Sequence, residues 1–300
     1  MDESNKHGNP VRAAFQKLLQ NKLATVCFVV LILEILLVAL APFIAPYGYE
    51  EQDPAHALAP GFWAQWTAVT DPEDSKYNAR DQYVPGHILG TDQYGRDTLS
   101  RLLYGGWISL MVGFVSTAMG LVAGVIYKRL DNPIMRVMDL LFTFPGILLA
   151  MLIIAMLGVN TFNAMLAISI WSIPSFARMV RGKVLQVKEE DYIMATRSLG
   201  AQDSRIIFVH ILKNCLPVII VIATMRMATS IISISTLSYL GMGVTPPMPE
   251  WGGMIAIGKQ YLWDRPSLIF IPGIAVMITV ICFNILGDKL RDILDPSLRD

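Results

Sequence analysis

The chain has 300 residues, of which 54% are hydrophobic and only 16% are charged, and its mean hydropathy is +0.49. Soluble domains carry about 25% charged residues, so the composition excludes an ordinary soluble protein. The formal net charge of zero says nothing about partners, whereas the distribution of charge along the chain is informative. Long uncharged runs predict a polytopic membrane protein.

Six apolar segments approach the roughly 20 residues that a helix needs to cross the hydrocarbon core. These predicted spans cover residues 23–45, 107–127, 137–158, 161–180, 216–240 and 267–287. We therefore predict an all-α integral membrane protein with six transmembrane helices. Residues 1–22 and 288–300 are short polar ends, and residues 107–287 form the core domain.

The orientation follows from the basic residues. Most of the 24 Lys and Arg lie in the two terminal segments and in the loops that join spans two to three and spans four to five. Cytoplasmic loops carry an excess of Lys and Arg, so both termini and these loops are predicted to be cytoplasmic. The polar insert at residues 46–106 then faces outward.

Two charged residues lie inside predicted spans, Glu34 in span one and Arg226 in span five. An ionised group at that depth costs about 2.5–3.5 kcal/mol even on the lenient insertion scale, so each should face a partner or water. Two interpretations stay open for Arg226. It lines the pathway and attracts a carboxylate of the substrate, or it pairs with Glu34 or with a partner subunit.

The outer insert ends in a polar motif before span two. Thr91 and Gly95 suit a turn and a helix cap, after which Arg96, Asp97 and Arg101 are predicted to begin an amphipathic helix. This helix could shape an outer vestibule, or it could be an interfacial structural element.

The longest charged interruption between two spans is the loop at residues 181–215. Residues 189–199 favour a helix, Gly200 supplies a C-terminal stop, and Asp203 or Ser204 can cap a second helix that runs into the next span. A helix, a hinge and a helix form a lever that another protein could push. The alternative is a solvated loop whose charges only fix the topology.

A docking helix needs small residues for close approach and polar anchors at its rim. The small residues here are Ala195, Ser198, Gly200 and Ala201, and the anchors are Arg197 and Arg205.

The loop at residues 241–266 is rich in Gly, Pro and Trp. Pro246, Pro247 and Trp251 predict a rigid segment, which could be an outer gate or a re-entrant turn buried by protein. A surface turn anchored by an interfacial tryptophan is the alternative.

No residue set in the sequence has a spacing that suggests catalysis. Cys27, Cys215 and Cys282 each lie in or beside an apolar span and far from one another, which favours buried hydrophobic roles. We expect no metal, no cofactor and no nucleic-acid partner, and the chain is not predicted to be an enzyme.

The run DYIMATRSLGAQDSRIIFVHILKN (residues 191–214) resembles the cytoplasmic signature loop of ATP-binding-cassette importer permeases. In that family a Glu-Ala-Ala triplet precedes a glycine, and the motif ends in Leu-Pro. Here Met194 takes the place of the glutamate and Lys213 that of the proline. The resemblance implies that the loop contacts an ATPase subunit through Met194, Ala195, Thr196, Arg197, Leu199, Gly200, Ala201 and Arg205.

Further segments resemble the C-type subunit of the dipeptide, oligopeptide and nickel permeases. They are LGTDQYGRDTLSRLLYGGWISL (89–110), IMRVMDLLFTFP (134–145), ARMVRGKVL (177–185), LSYLGMGVTPPMPEWGGM (237–254) and FNILGDKLRDILDP (283–296). They follow one another in the order of that family and cover most of the chain.

The resemblance implies a type I ABC importer permease fold in the bacterial cytoplasmic membrane. It implies a heterodimer with a homologous second permease, two ATPase subunits and an extracytoplasmic solute-binding protein. Peptides are the expected substrate, with nickel and glutathione as alternatives. From a different class, an ion-driven secondary transporter would need Glu34 as its coupling residue, and a membrane-anchored assembly protein is a third interpretation.

Overall fold

The computed structural model describes residues 16–67, 82–125 and 131–294. Within these ranges the secondary structure is helical, and the only β contact is an isolated bridge between Thr91 and Asp97. The predicted all-α class is confirmed for this part of the chain. The terminal segments fall largely outside the described residues, as do residues 68–81 of the outer insert.

The helices, labelled in chain order, are α1 (Lys22–Ala39), α2 (Ala41–Ile44), α3 (Ala64–Thr67), α4 (Thr98–Val125), α5 (Asp131–Phe142), α6 (Gly146–Leu157), α7 (Thr161–Lys188), α8 (Asp191–Ser198), α9 (Asp203–Arg205), α10 (Leu212–Tyr239), α11 (Trp251–Gly258) and α12 (Ser267–Leu294). Short 3₁₀ turns lie at Pro54–His56 and Lys259–Tyr261. A π-helical segment, Ile206–Ile211, makes α9 and α10 one continuous helix.

Four helical stretches are long and apolar enough to cross a membrane: Lys22–Ala39, Thr98–Val115, Asp203–Tyr239 and Ser267–Ile293. A bent pair, Met135–Phe142 with Gly146–Leu157, would make a fifth. The count of six is therefore not reached by length and apolarity among the described residues. Helix α7 has 28 residues, but basic residues in its C-terminal half lower its hydropathy.

The third predicted span, residues 137–158, is not one straight helix. Its two halves, α5 and α6, meet at an angle of 98°. Pro145 stands at the break as the N-cap of α6. Proline has no N–H to continue the ladder of the preceding helix, and it disfavours helical geometry in the residue before it, so the helix ends there.

The amphipathic helix predicted before the second span is also not a separate element. Helix α4 starts at Thr98, nine residues before the predicted span, and continues without a break to Val125. The Asp97 carboxylate accepts hydrogen bonds from the backbone N–H and the hydroxyl of Ser100, which caps the new N-terminus. Arg101 thus lies in the first turn of α4, and it is buried rather than interfacial.

The core consists of three apolar clusters. The first joins α1, α10 and α12, and it contains the buried Cys27 and Cys282. The second joins α4, α6, α7 and α10 through residues such as Ile108, Ile168 and Ile234. The third, which we call the junction cluster, consists of Phe176, Val180, Val187, Ile193, Ile206, Ile211, Cys215, Ile219 and Ile222.

Candidate functional site

The short helix predicted in the loop at residues 181–215 is α8, Asp191–Ser198, between the long helices α7 and α10. Glu190 is its N-cap residue, and its backbone carbonyl accepts from Ile193 and Met194. The prediction of a short helix here is confirmed, with ends that differ from the predicted 189–199 by one or two residues.

Gly200 ends α8 as the sequence predicted. Its φ of +82° lies in the left-handed region, where only glycine is unstrained. The N–H of Gly200 donates to the carbonyl of Arg197, and the N–H of Ala201 donates to that of Thr196. This pair of bonds is a Schellman motif. The next helix is entered through Gln202 as N-cap, not through Asp203 or Ser204, because Asp203 already has helical geometry.

One side of α8 is anchored in the junction cluster. Ile193 is 1% exposed and packs in this cluster with Phe176 and Val180 of α7. Ile206 and Cys215, on the other side of the Gly200 turn, belong to the same cluster. A displacement of α8 therefore presses on both long helices at once, because densely packed side chains transmit strain.

The other side of α8 is open. Leu199 is 88% exposed and Met194 is 54% exposed. Ala195, Arg197, Gly200 and Arg205 are exposed as well. Arg197 lies 3.7 Å from Asp203 in an exposed ion pair, which spans the turn at Gly200. An open surface of this kind, with two large apolar side chains and cationic neighbours, suits a protein partner.

Two of the predicted contact residues are less accessible than expected. Ala201 packs against the junction cluster and is half-buried, so it belongs to the anchored side rather than to the docking face. Thr196 is half-buried, and its hydroxyl donates to the carbonyl of Tyr192. The sequence did not single out Asn214, whose side chain reaches the Tyr192 hydroxyl.

The pairing of Arg226 with Glu34, one of the interpretations that the sequence left open, is not formed among the described residues. The Glu34 carboxylate accepts a hydrogen bond from the hydroxyl of Thr279 on α12, and its second oxygen is buried without a partner. Neither residue takes part in an ion pair within the described ranges. The sequence shows that each of the two charges lies inside an apolar span. It does not show how α1 packs on α12, and this packing separates Glu34 from Arg226.

The outer loop at residues 241–266 is built around Trp251, which is 2% exposed. Its indole N–H donates to the carbonyl of Leu102 at 2.9 Å, so the interpretation as an interfacial surface anchor is wrong. Pro246 and Pro247, by contrast, are exposed.

Glu250 precedes α11 and is also buried. Its carboxylate accepts from Gly253 N–H at 3.0 Å, from the Ser235 hydroxyl at 3.1 Å and from the Ser109 hydroxyl at 3.4 Å. This single side chain therefore holds the start of α11 against α4 and α10. The sequence analysis missed its role, since nothing local distinguishes it from a surface glutamate.

A buried polar cluster lies at the N-terminus of α4. Asp92 accepts from Arg96 Nε at 2.7 Å, and Asp97 is hydrogen-bonded to His87 at 3.0 Å. All four residues are at most 7% exposed. The sequence predicted an amphipathic helix starting with Arg96 and Asp97, and the burial of both residues contradicts its interpretation as an interfacial element. The preceding insert covers this motif, because the N–H of Asp53 donates to the carbonyl of Gly95 and the N–H of Leu58 donates to that of Asp92.

Arg101 connects this polar cluster to the outer loops. One of its terminal nitrogens donates to the carbonyl of Tyr49 at 2.9 Å and to that of Pro247 at 3.1 Å. Its Nε lies 3.6 Å from the carboxylate of Asp92. Arg101 thus joins the first outer loop, helix α4 and the proline-rich loop in one network.

Comparison with known families agrees with this architecture. The family described as "Binding-protein-dependent transport system inner membrane component" matches residues 116–300. The family described as "N-terminal TM domain of oligopeptide transport permease C" matches residues 9–60.

Several curated proteins are similar over most of their length. The dipeptide transport system permease protein DppC of Alkalihalophilus pseudofirmus is 38% identical over 97% of this chain and 91% of its own. The glutathione transport system permease protein GsiD of Pectobacterium atrosepticum is 43% identical over 81% and 84%. The di/tripeptide transport system permease protein DppC of Pseudomonas aeruginosa is 34% identical over 100% and 96%.

Among solved structures, an inward-facing form of the MetNI methionine ABC transporter superposes with a TM-score of 0.51 at 20% identity. The match covers 65% of this chain and 97% of the other. At this identity the likeness concerns the fold alone.

Proposed function

This chain belongs to the family of binding-protein-dependent transport system inner membrane components, and from that premise we propose that it is the C-type permease subunit of an ATP-driven peptide importer. As a member of this family it is a multi-pass component of the bacterial inner membrane. The relatives support peptides as the substrate class, because two of them are named for dipeptides or tripeptides. Glutathione, itself a small peptide with free carboxylates, is the alternative that a third relative favours.

The proposed topology has six spans with both termini in the cytoplasm. Helix α7 is the span that apolarity alone does not identify. Its 28 residues extend about 42 Å at 1.5 Å per residue, which exceeds the roughly 30 Å of a hydrocarbon core. Many of its side chains, including Ile168, Ser169 and Phe176, are buried against other helices, so it needs little contact with lipid.

In the proposed mechanism this chain hydrolyses nothing, and separate ATPase subunits supply the energy. Their closure on ATP moves helix α8, which we call the coupling helix. The observation that carries this proposal is the division of α8 into an open side with Leu199 and Met194 and an anchored side with Ile193. Motion enters through the open side and reaches α7 and α10 through the junction cluster, which switches the pathway between outward and inward access.

The outer loops form the opposite end of the pathway in this proposal. A solute-binding protein delivers the peptide there, and the segment from Pro246 to Trp251 acts as the outer gate. Arg101 and Glu250 hold that segment on the bundle through the contacts described above, so its position depends on α4 and α10.

Co-purification tests the proposal directly. The tagged chain, purified in mild detergent, should bring a second permease and two ATPase subunits, with ATP hydrolysis stimulated by the peptide-loaded binding protein. Leu199→Glu and Arg205→Glu should each weaken the association, because they place negative charge on the open side of the coupling helix. Trp263 lies in the loop before α12 and is 93% exposed, and Trp263→Ala serves as the control. A chain that purifies alone and carries no ATPase activity would contradict the proposal.

A further inference from the structure

Arg226 is a cation that has no acidic partner among the described residues. It lies midway along α10 and is half-buried. Helices α4, α6, α7 and α10 carry no acidic residue of their own. Glu34 is bonded to Thr279, and Asp288 on α12 forms no ion pair with Arg226 within the described ranges.

The face of α10 that carries Arg226 points into the helix bundle. Ser230 and Ser233 follow at i+4 and i+7 on the same face, and they are 1% and 5% exposed. Leu237, at i+11, is 1% exposed and packs in the second cluster with α4 and α7. One turn before Arg226, Ile222 packs in the junction cluster with Phe176 of α7. Arg226 therefore faces protein rather than lipid.

The contacts of Met225 and Met227, the residues on either side of Arg226, show which parts of the other helices lie beside it. Met225 packs closely on Gly287 of α12. A Cβ atom added to Gly287 would lie 2.6 Å from the Cγ of Met225. Met227 makes a similar contact with Gly113, midway along α4. Arg226 therefore lies level with the middle of α4 and with the last two turns of α12.

We propose that Arg226 binds the carboxylate of the peptide as it passes along α10. The inference rests on the proposed function, and it names the chemical group of the substrate that Arg226 binds. A guanidinium offers a planar pair of donors that matches a carboxylate, and peptides carry a C-terminal carboxylate. An arginine inside a span pairs with a charged group or a backbone carbonyl, or faces water, and the described residues give Arg226 no acidic partner, so an anion from outside can bind it.

The experiment compares two dipeptides in proteoliposomes that contain the complete transporter: one with a free C-terminus and one amidated, chosen so that the binding protein holds both with matched affinity. Arg226→Gln should lower import of the free acid about tenfold or more, chiefly as a higher KM, since it removes hydrogen bonds to a charged group. Import of the amide should change less than twofold. Arg226→Lys, which keeps the charge, should retain part of the import of the free acid.

Thr224→Val is the matched control, because its hydroxyl bonds only to the Ile220 carbonyl on another face of α10. Equal losses for acid and amide, or no loss for either, would overturn the inference. So would reduced recovery of the second permease with Arg226→Gln, because Arg226 would then pair with that subunit. A wild-type complex that imports neither peptide on ATP addition would instead overturn the proposed function itself.

Discussion

The side-chain amide of Asn214 donates a hydrogen bond of 2.8 Å to the hydroxyl of Tyr192. Asn214 belongs to the first turn of α10 and Tyr192 to the coupling helix, so the bond joins the two across the Gly200 turn. The same amide nitrogen donates to the carbonyl of His210 at 2.8 Å, and the rings of Tyr192 and His210 lie 6.4 Å apart. The coupling helix is thus fixed to α10 by a polar contact as well as by the junction cluster.

Removing the Tyr192 hydroxyl should loosen this connection without unfolding the loop. A typical intramolecular hydrogen bond contributes about 0.5–1.5 kcal/mol, so Tyr192→Phe should lower peptide import roughly two- to tenfold while ATP hydrolysis continues. The measurement is the ratio of peptide imported to ATP hydrolysed in proteoliposomes.

Asn214→Leu should lower this ratio to a similar extent, and the double variant should be no worse than either alone. Ser198→Ala removes a hydroxyl that bonds only to Met194 within the coupling helix, and it is the matched control. Additive losses in the double variant would show that the two residues act separately.

The junction cluster should also determine the stability of this region. Ile193→Ala leaves a cavity at a site that is 1% exposed, and such truncations cost about 2–5 kcal/mol. The chain purified without ATPase subunits should therefore unfold at a lower temperature, as followed by size-exclusion chromatography after heating. Met194→Ala truncates the adjacent side chain, which is 54% exposed, and should leave the unfolding temperature nearly unchanged. Equal effects of the two variants would contradict the assignment of the anchored side.

Gly200 and Gly182 allow backbone strain to be tested apart from packing. A Cβ added at either would meet nothing within 4 Å, but only Gly200 has a positive φ, +82°. Gly200→Ala should therefore destabilise by about 1–2 kcal/mol through left-handed geometry alone. Gly182→Ala, inside α7, should be neutral or stabilising by up to about 1 kcal/mol. Thermal unfolding of the two variants checks this, and a destabilising Gly182→Ala would indicate a contact made by another subunit.

Arg101 should be needed to hold the outer loops in their positions. It is 4% exposed and paired with buried Asp92, and removal of one partner of a buried ion pair costs about 3–5 kcal/mol. Arg101→Gln should therefore destabilise the protein and increase hydrogen exchange in the residues around Pro247. Lys289→Gln removes an exposed cation paired with Asp292 and should leave the stability nearly unchanged, because water screens such a pair. Unchanged hydrogen exchange in the loop around Pro247 would show that Arg101 does not hold this loop in place.

The sequence by itself determined the local elements. Apolar segments predicted the membrane helices, helical spacing predicted the coupling helix, and Gly200 marked its end, because each depends on residues a few positions apart. Several motifs, which follow one another in the order typical of the family, also indicated the family to which the chain belongs. The sharp break at Pro145 had a local cause too, although only the structure gave its angle of 98°.

Tertiary structure decided which polar groups meet. Glu34 and Thr279 are 245 residues apart, and the Trp251 indole reaches Leu102 across 149 residues. No local pattern encodes such pairs, since they depend on how the helices pack. The same packing buried Arg96 and Arg101, where an amphipathic helix was predicted, and it left Arg226 without an acidic partner among the described residues. A charge in a membrane helix is visible in the sequence, but its partner is a property of the folded bundle.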